Sequence, residues 1–500
     1  MRNYINKYLE LIQDLRVKAG LTRAGVRDLK SMLLKYITAS VLVVTVLIIV
    51  LNYMLGFTVA TYVTLTALAI PSAALTSMML PYLSYSYIVR VRRKKVEEEL
   101  AYFIISEAAI YTYSTELVND LCELSGWEHV FKELVVEGLR LRVFRSFLTV
   151  TEAINTYIKY SASKYVNRLL SDYVLALSKG VVNAWLLNTS NELLHKLRGD
   201  AKTSIQLRTT ISLIAGVLLS YLPSLMVSLS IISGAIEAVP SIFFLATIIP
   251  ILIFMPGKTL HLKTLVNNNS IIFKLKNIVI YMVTLFIIPL SLSMLDQPVI
   301  KHALLTSSVL LIINGILNLR DFIEVITEVS ELPKVISLYA ETPYILVNPL
   351  KGFKEVLMTC RSRSLRRLGS KLNLNNLKDN LPAIRSWLGR YTYYIIVRSL
   401  VNGNLSKEQL LNLRTLTLDM IEDFKHYIVS LLPLMMMSLI MPWLLTSMAT
   451  LANVKLMNYM VLIYVIVTWY SLYVDYTLYD SLGNTLITGI AMLILALMLG

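Results

Sequence analysis

Long apolar runs free of lysine and arginine constrain this chain more than any other feature. Ile37 to Leu55, Thr209 to Ile232, Asn277 to Leu295 and Tyr427 to Met448 each approach or exceed the roughly 20 residues that a helix needs to cross bilayer hydrocarbon. Only 16% of the residues are charged, against roughly 25% in a soluble globular chain. Lipid is the solvent such a composition fits.

Read against their polar flanks, the runs predict about nine spans. They lie near Tyr36 to Leu55, Thr58 to Ile88, Thr209 to Ile232, Val239 to Met255, Asn277 to Leu295, His302 to Leu317, Tyr427 to Met448, Leu456 to Tyr473 and Thr485 to Leu499. The second exceeds the length required, so it tilts, kinks at Pro71 or Pro81, or emerges early as a polar helix. No small-residue cleavage site follows the first run, so that run is expected to remain as a span.

Basic residues orient the chain, because lysine and arginine near span ends stay on the cytoplasmic side. With the N-terminus inside, the external segments carry only Lys301 and Lys455 of the 47 lysines and arginines. The net charge of +15 follows from that topology and needs no nucleic acid. Cys122 and Cys360 both fall in inside segments, which predicts reduced thiols rather than a disulfide.

Two long polar stretches interrupt the spans. Val96, Leu100, Phe103, Ile104, Ala108 and Tyr111, then Val166, Leu169, Leu170, Tyr173, Val174, Leu177 and Val181, return at helical spacing and predict bundle helices. In the second stretch Ser406 and Gln409 form a capping box, opening a helix whose buried face uses Leu413, Leu416, Met420 and Phe424. Pro333, Pro343, Pro349 and Pro382 are expected to divide that domain into short helices. The fold expected is all-α: a polytopic membrane protein with two cytoplasmic helical-bundle domains.

The boundaries read as a cytoplasmic N-terminal segment over 1–35, spans over 36–89, a first cytoplasmic domain over 90–208, spans over 209–318, a second domain over 319–426 and spans over 427–500. Aligning Pro223 with Pro433 also pairs Ser220 with Ser430, Leu222 with Leu432, Met226 with Met436, Ser228 with Ser438 and Leu229 with Leu439. The matches lie where each polar domain returns to the membrane, so the chain reads as an internal duplication with a ninth span appended. Pro223 and Pro433 become paired hinge candidates.

Catalytic signatures are missing. Gly257-Lys258-Thr259 resembles the end of a phosphate-binding loop, but Leu252 stands where the first glycine belongs. His129, His195, His261, His302 and His426 form no metal-ligand spacing, and no cofactor is expected. Asp475 and Asp480 lack the flanking glycines of intramembrane aspartyl proteases and read as a solvated turn. A transporter or permease is the alternative function; it predicts polar residues near the bilayer midplane, for which Asn52 and Asn314 are weak candidates.

Three basic clusters remain. Arg90, Arg92, Arg93, Lys94 and Lys95 lie directly beneath a span and read as a positive-inside anchor. Arg140, Arg142 and Arg145, with Arg361, Arg363, Arg366 and Arg367, lie deeper in the polar domains and suit docking of an acidic partner.

The stretch Arg92-Arg93-Lys94-Lys95 followed by Val96-Glu97-Glu98-Glu99-Leu100-Ala101-Tyr102-Phe103, the Leu-Pro pairs Leu222-Pro223 and Leu432-Pro433, and the duplicated layout together resemble the type II secretion system F family in its archaeal form. These are the membrane platform proteins of archaeal type IV pili and the archaellum. Tyr113-Ser114-Thr115 departs from the glycine-containing turn often found there, and the second domain is shorter. The resemblance implies a non-catalytic platform in the cell membrane. A cytosolic hexameric secretion ATPase docks on its cytoplasmic bundles, pilin subunits are lifted from the bilayer, and a homodimer is compatible with that arrangement.

Overall fold

The computed structural model describes residues 2–20, 31, 35, 38, 59–110, 117–233, 297–341, 348–373, 377–402, 407–451, 460–479 and 484–498. Among them every regular element is helical. The fold is all-α. The fourth and fifth expected spans lie outside the described residues, as do the first apart from Thr38, the Gly257 triplet, Asn52, His261, Pro343, Tyr111 and Ser406.

In chain order the helices are α1 (Arg2–Lys18), α2 (Val59–Ile110), α3 (Leu117–Cys122), α4 (Lys132–Arg145), α5 (Val150–Tyr160), α6 (Lys164–Ser178), α7 (Val182–Ser233), α8 (Gln297–Glu341), α9 (Pro349–Met358), α10 (Arg363–Lys371), α11 (Trp387–Asn402), α12 (Lys407–Leu451), α13 (Met460–Tyr479) and α14 (Leu486–Met498), with a single 3-10 turn at Leu381–Ala383 before α11. The chain divides into two compact units, Met1–Asn191 and Glu192–Gly500.

Four helices dominate: α2 and α7 run 52 residues each, α8 and α12 run 45. Each fuses an apolar stretch to a polar one without a break. α2 and α8 begin apolar and end polar, whereas α7 and α12 begin polar and end apolar. The expected boundaries at 89, 208, 318 and 426 therefore fall inside continuous helices. Pro71 and Pro81 lie within α2, and Pro333 lies within α8 rather than dividing it. Leu332, Val335, Ile336 and Tyr339 are buried around Pro333, and their packing offsets the one backbone hydrogen bond that proline removes.

In the first unit the expected helical faces are buried: Val96, Leu100, Phe103, Ile104 and Ala108 on α2, and Val166, Leu169, Leu170 and Tyr173 on α6. Val181 is exposed. α6 ends at Ser178 and the chain turns at Gly180, so the apolar spacing continues in sequence after the helix has stopped. Leu9 and Ile12 of α1 bury against Tyr85 of α2, with Tyr8 and Leu15 beside them.

In the second unit α14 packs against α8, α12 and α13, and Ile487, Ala491, Met492 and Leu495 are buried there. Among the described residues one helical segment, Leu410–Ser447 of α12, is long and apolar enough to cross a membrane, with a mean hydropathy of 2.1. Only 33% of its apolar window is buried, unlike the core helix of a soluble protein. Val429, Leu432, Met436, Ile440 and Trp443 form one exposed stripe along it.

Candidate functional site

Each long entering helix carries carboxylates at its polar end, and the rest of each polar domain is hung on them. Glu99 of α2 accepts the backbone N–H groups of Glu133 (2.9 Å) and Leu134 (2.8 Å), two of the orphan donors at the start of α4. In the second unit Glu331 of α8 accepts those of Arg361 (2.6 Å) and Ser362 (2.8 Å), where α10 begins. A second pair repeats. The Ser163 hydroxyl donates to Glu97 at 2.5 Å while accepting the Val166 N–H at the start of α6. The Ser386 hydroxyl donates to Glu328 at 2.5 Å while accepting the Gly389 N–H at the start of α11.

The helix between these anchors is held closely in both units. A Cβ at Gly138 in α4 would collide with the Leu121 carbonyl oxygen of α3, and one at Gly369 in α10 would meet Leu357 Cβ of α9 at 3.0 Å. In these contacts α4 parallels α10, α3 parallels α9 and α6 parallels α11. Pro223 lies in α7 and Pro433 in α12.

Glu328 is the most heavily engaged of these carboxylates. It is 0% exposed and also accepts the Ser364 hydroxyl (2.5 Å) and the N–H groups of Arg385 (3.1 Å) and Ser386 (2.9 Å). A buried carboxylate with this many donors is a satisfied hub. The sequence reading missed it because its partners lie 36 to 58 residues away.

The basic cluster beneath α2's apolar stretch divides. Arg90, Arg93 and Lys94 are exposed, Arg93 pairing with Glu97 at 3.4 Å, and Lys95 lies 3.9 Å from Glu133. Arg92 is buried instead: it pairs with Glu133 (3.0 Å) and Glu137 (2.5 Å) and donates to the Lys18 carbonyl (3.3 Å). Arg140 pairs with Glu137 at 3.4 Å and donates to the Val17 carbonyl at 2.6 Å. Two guanidiniums thus cap the C-terminus of α1, where unsatisfied carbonyls favour cations. Arg140, expected in a docking patch, is a clamp on α1.

Arg142 is exposed and Arg145 half-buried. Arg361, just ahead of α10, and Arg363, Arg366 and Arg367 on it are exposed, while Leu365 and Leu368 are buried. Cys122 and Cys360 are free and buried as expected. Burial pushes the Cys360 thiol up to about 12 and also raises Cys122, so neither is a ready nucleophile.

Asp475 corrects the expectation of a solvated turn. It is 0% exposed and accepts the N–H groups of Ile487 (3.1 Å) and Thr488 (2.9 Å) and the Thr488 hydroxyl (2.7 Å). A carboxylate contributed by α13 caps α14, which the sequence spacing does not reveal. Asn314 of α8 is likewise buried and donates to Thr485 at 3.2 Å; Asp480 lies outside the described residues. Among the described residues no group of histidine, cysteine and carboxylate side chains could hold a metal ion.

No family model, curated protein or solved structure matches this chain.

Proposed function

We propose that this chain is a multi-pass membrane platform for assembling a filament related to archaeal type IV pili, coupling a cytosolic hexameric ATPase to pilin insertion. The duplicated arrangement carries the reading. In both repeats a helix enters with an apolar stretch, its carboxylates anchor a small polar bundle, and a second long helix leaves with an apolar stretch. Entering and leaving helices of opposite polarity return both bundles to one side of the bilayer, the cytoplasmic side by the distribution of lysine and arginine.

Continuous helices suit the coupling role. A force applied to a carboxylate-anchored bundle passes along the same helix into the apolar stretch, with no flexible linker to absorb it. Arg361, just ahead of α10, and Arg363, Arg366 and Arg367 on it form the ATPase docking surface in this reading. About nine spans complete the topology, and Pro223 and Pro433 mark equivalent bends in the leaving helices.

Buried Asp475 and Asn314 favour the alternative of a transporter, because intramembrane polar groups often mark transport paths. Their bonds are to α14 and the residue preceding it, which suits fixing a helix better than relaying an ion.

The test is deletion of the gene together with charge reversal at Arg363, Arg366 and Arg367. We expect deletion to abolish filaments and the reversed variant to lose capture of the assembly ATPase while remaining in the membrane. Normal ATPase capture by that variant would refute the docking assignment.

A further inference from the structure

The exposed end of α4 carries a surface that docking of an ATPase leaves unexplained. Val143 is 61% exposed, Phe147 85% and Leu148 37%, with Arg142 and Arg145 beside them. This corner is firmly held: Phe144 stacks on Tyr160 with ring centroids 6.0 Å apart, and Thr149 and Glu152 form a complete capping box at the start of α5.

Contacts along α4 give its direction. Phe131 packs on Phe103 at 5.9 Å, Glu133 and Leu134 bond to Glu99, and Glu137 pairs with Arg92. As α4 advances, its partners on α2 step back toward the apolar half of that helix. From Glu137 to Arg145 the helix continues about 12 Å further the same way. That advance reaches toward the level where α2 exposes Leu83, Tyr87 and Ile88.

We propose that this corner rests on the membrane, with Val143, Phe147 and Leu148 entering the headgroup and acyl boundary of an anionic leaflet and Arg142 and Arg145 meeting lipid phosphates. Exposed aromatic and aliphatic side chains flanked by arginine suit that interface. The contrast between repeats adds to the case. α4 has 14 residues and α10 nine, so α10 is roughly 7 Å shorter, and no large hydrophobic residue of α10 is exposed. An acidic protein would also neutralise Arg142 and Arg145, but the membrane-ward position of the corner favours lipid. This inference rests on the reading that the apolar half of α2 spans the bilayer.

The test uses the full chain reconstituted into vesicles of mixed phosphatidylglycerol and phosphatidylcholine, with a fluorophore on Ser146→Cys or, separately, on Met79→Cys in α2. Lipids spin-labelled near the headgroup supply the quencher for Ser146→Cys, and lipids labelled deeper in the chain supply it for Met79→Cys. We expect both sites to be quenched, with the signal at Ser146→Cys roughly halved by Arg142→Glu/Arg145→Glu and lowered by Phe147→Asp. Quenching at Met79→Cys alone overturns the proposal and leaves the span intact. No quenching at either site defeats the span reading and the proposal together. Shielding of Ser146→Cys only when a cytosolic protein fraction is added assigns the corner to a protein and also overturns the proposal.

Discussion

Glu99 and Glu331 play matching roles in the two units: each sits toward the polar end of a long helix and accepts two consecutive backbone N–H groups where a shorter helix begins. Replacing either with alanine leaves two backbone N–H groups without their acceptor, at a cost of about 1–3 kcal/mol. In Glu99→Ala the amides of Glu133 and Leu134 should exchange with solvent at least about tenfold faster, and in Glu331→Ala those of Arg361 and Ser362. Hydrogen exchange by mass spectrometry checks both. Each change should remain local to its own unit.

Arg92→Ala should free α1. It breaks buried ion pairs to Glu133 and Glu137 and removes a bond to the Lys18 carbonyl. Glu137 keeps Arg140 at 3.4 Å and Glu133 keeps Lys95 at 3.9 Å, so the cost falls below the roughly 3–5 kcal/mol of leaving a buried charge unpaired. Trypsin should then cut more rapidly at Arg16 and Lys18 than in the parent chain, with Arg92→Lys intermediate because lysine lacks the forked geometry. Unchanged cleavage would mean that α1 is held by its apolar face and the Arg140 bond to the Val17 carbonyl.

The first bundle should lose stability as pH rises toward neutrality. Burial pushes the Glu98 carboxyl from its ordinary 4.5 up to about 7, against an opposing pull from Lys95. The folded state therefore binds the proton more tightly than the unfolded one. Glu99 beside it is pushed up further by its own burial, to about 8, so the joint stabilising contribution is full below about pH 4.5 and is lost as pH rises through about 7 to 8, with a slope of at most about 1.4 kcal/mol per pH unit for each group. Denaturant unfolding between pH 5 and 9 measures this slope, which Glu98→Gln should reduce by one group's share while that of Glu99 remains.

Asp475→Ala should loosen α14. The substitution leaves three buried donors, from Ile487 and Thr488, without their acceptor; such groups cost about 1–3 kcal/mol each. Protease sensitivity and hydrogen exchange in α14 should both rise. Asp475→Asn should be milder because an acceptor oxygen remains.

How far the sequence was legible depended on distance along the chain. The buried stripes on α2 and α6 follow a helical period within one segment, and Val96, Leu100, Phe103 and Tyr173 could be read from neighbouring residues. The capping box at Thr149 and Glu152 was local as well, a T-x-x-E signal that composition-level reading passed over. Glu328, Glu331 and Asp475 resemble solvated charges because their donors belong to other helices, 12 to 58 residues away. Arg92 was hidden for a related reason. In sequence it stands within a run of surface cations, and only folding brings Glu133, Glu137 and the end of α1 around it.

The most direct measurement concerns the side of the membrane on which the two polar bundles lie. Leu175→Cys and Met358→Cys would introduce thiols at positions 57% and 50% exposed, one in each polar domain, while the buried native cysteines supply little background. With a membrane-impermeant maleimide, both sites should stay unlabelled in intact cells and become labelled once the membrane is opened. Labelling of either site in intact cells would put that bundle outside the cell and contradict the platform reading.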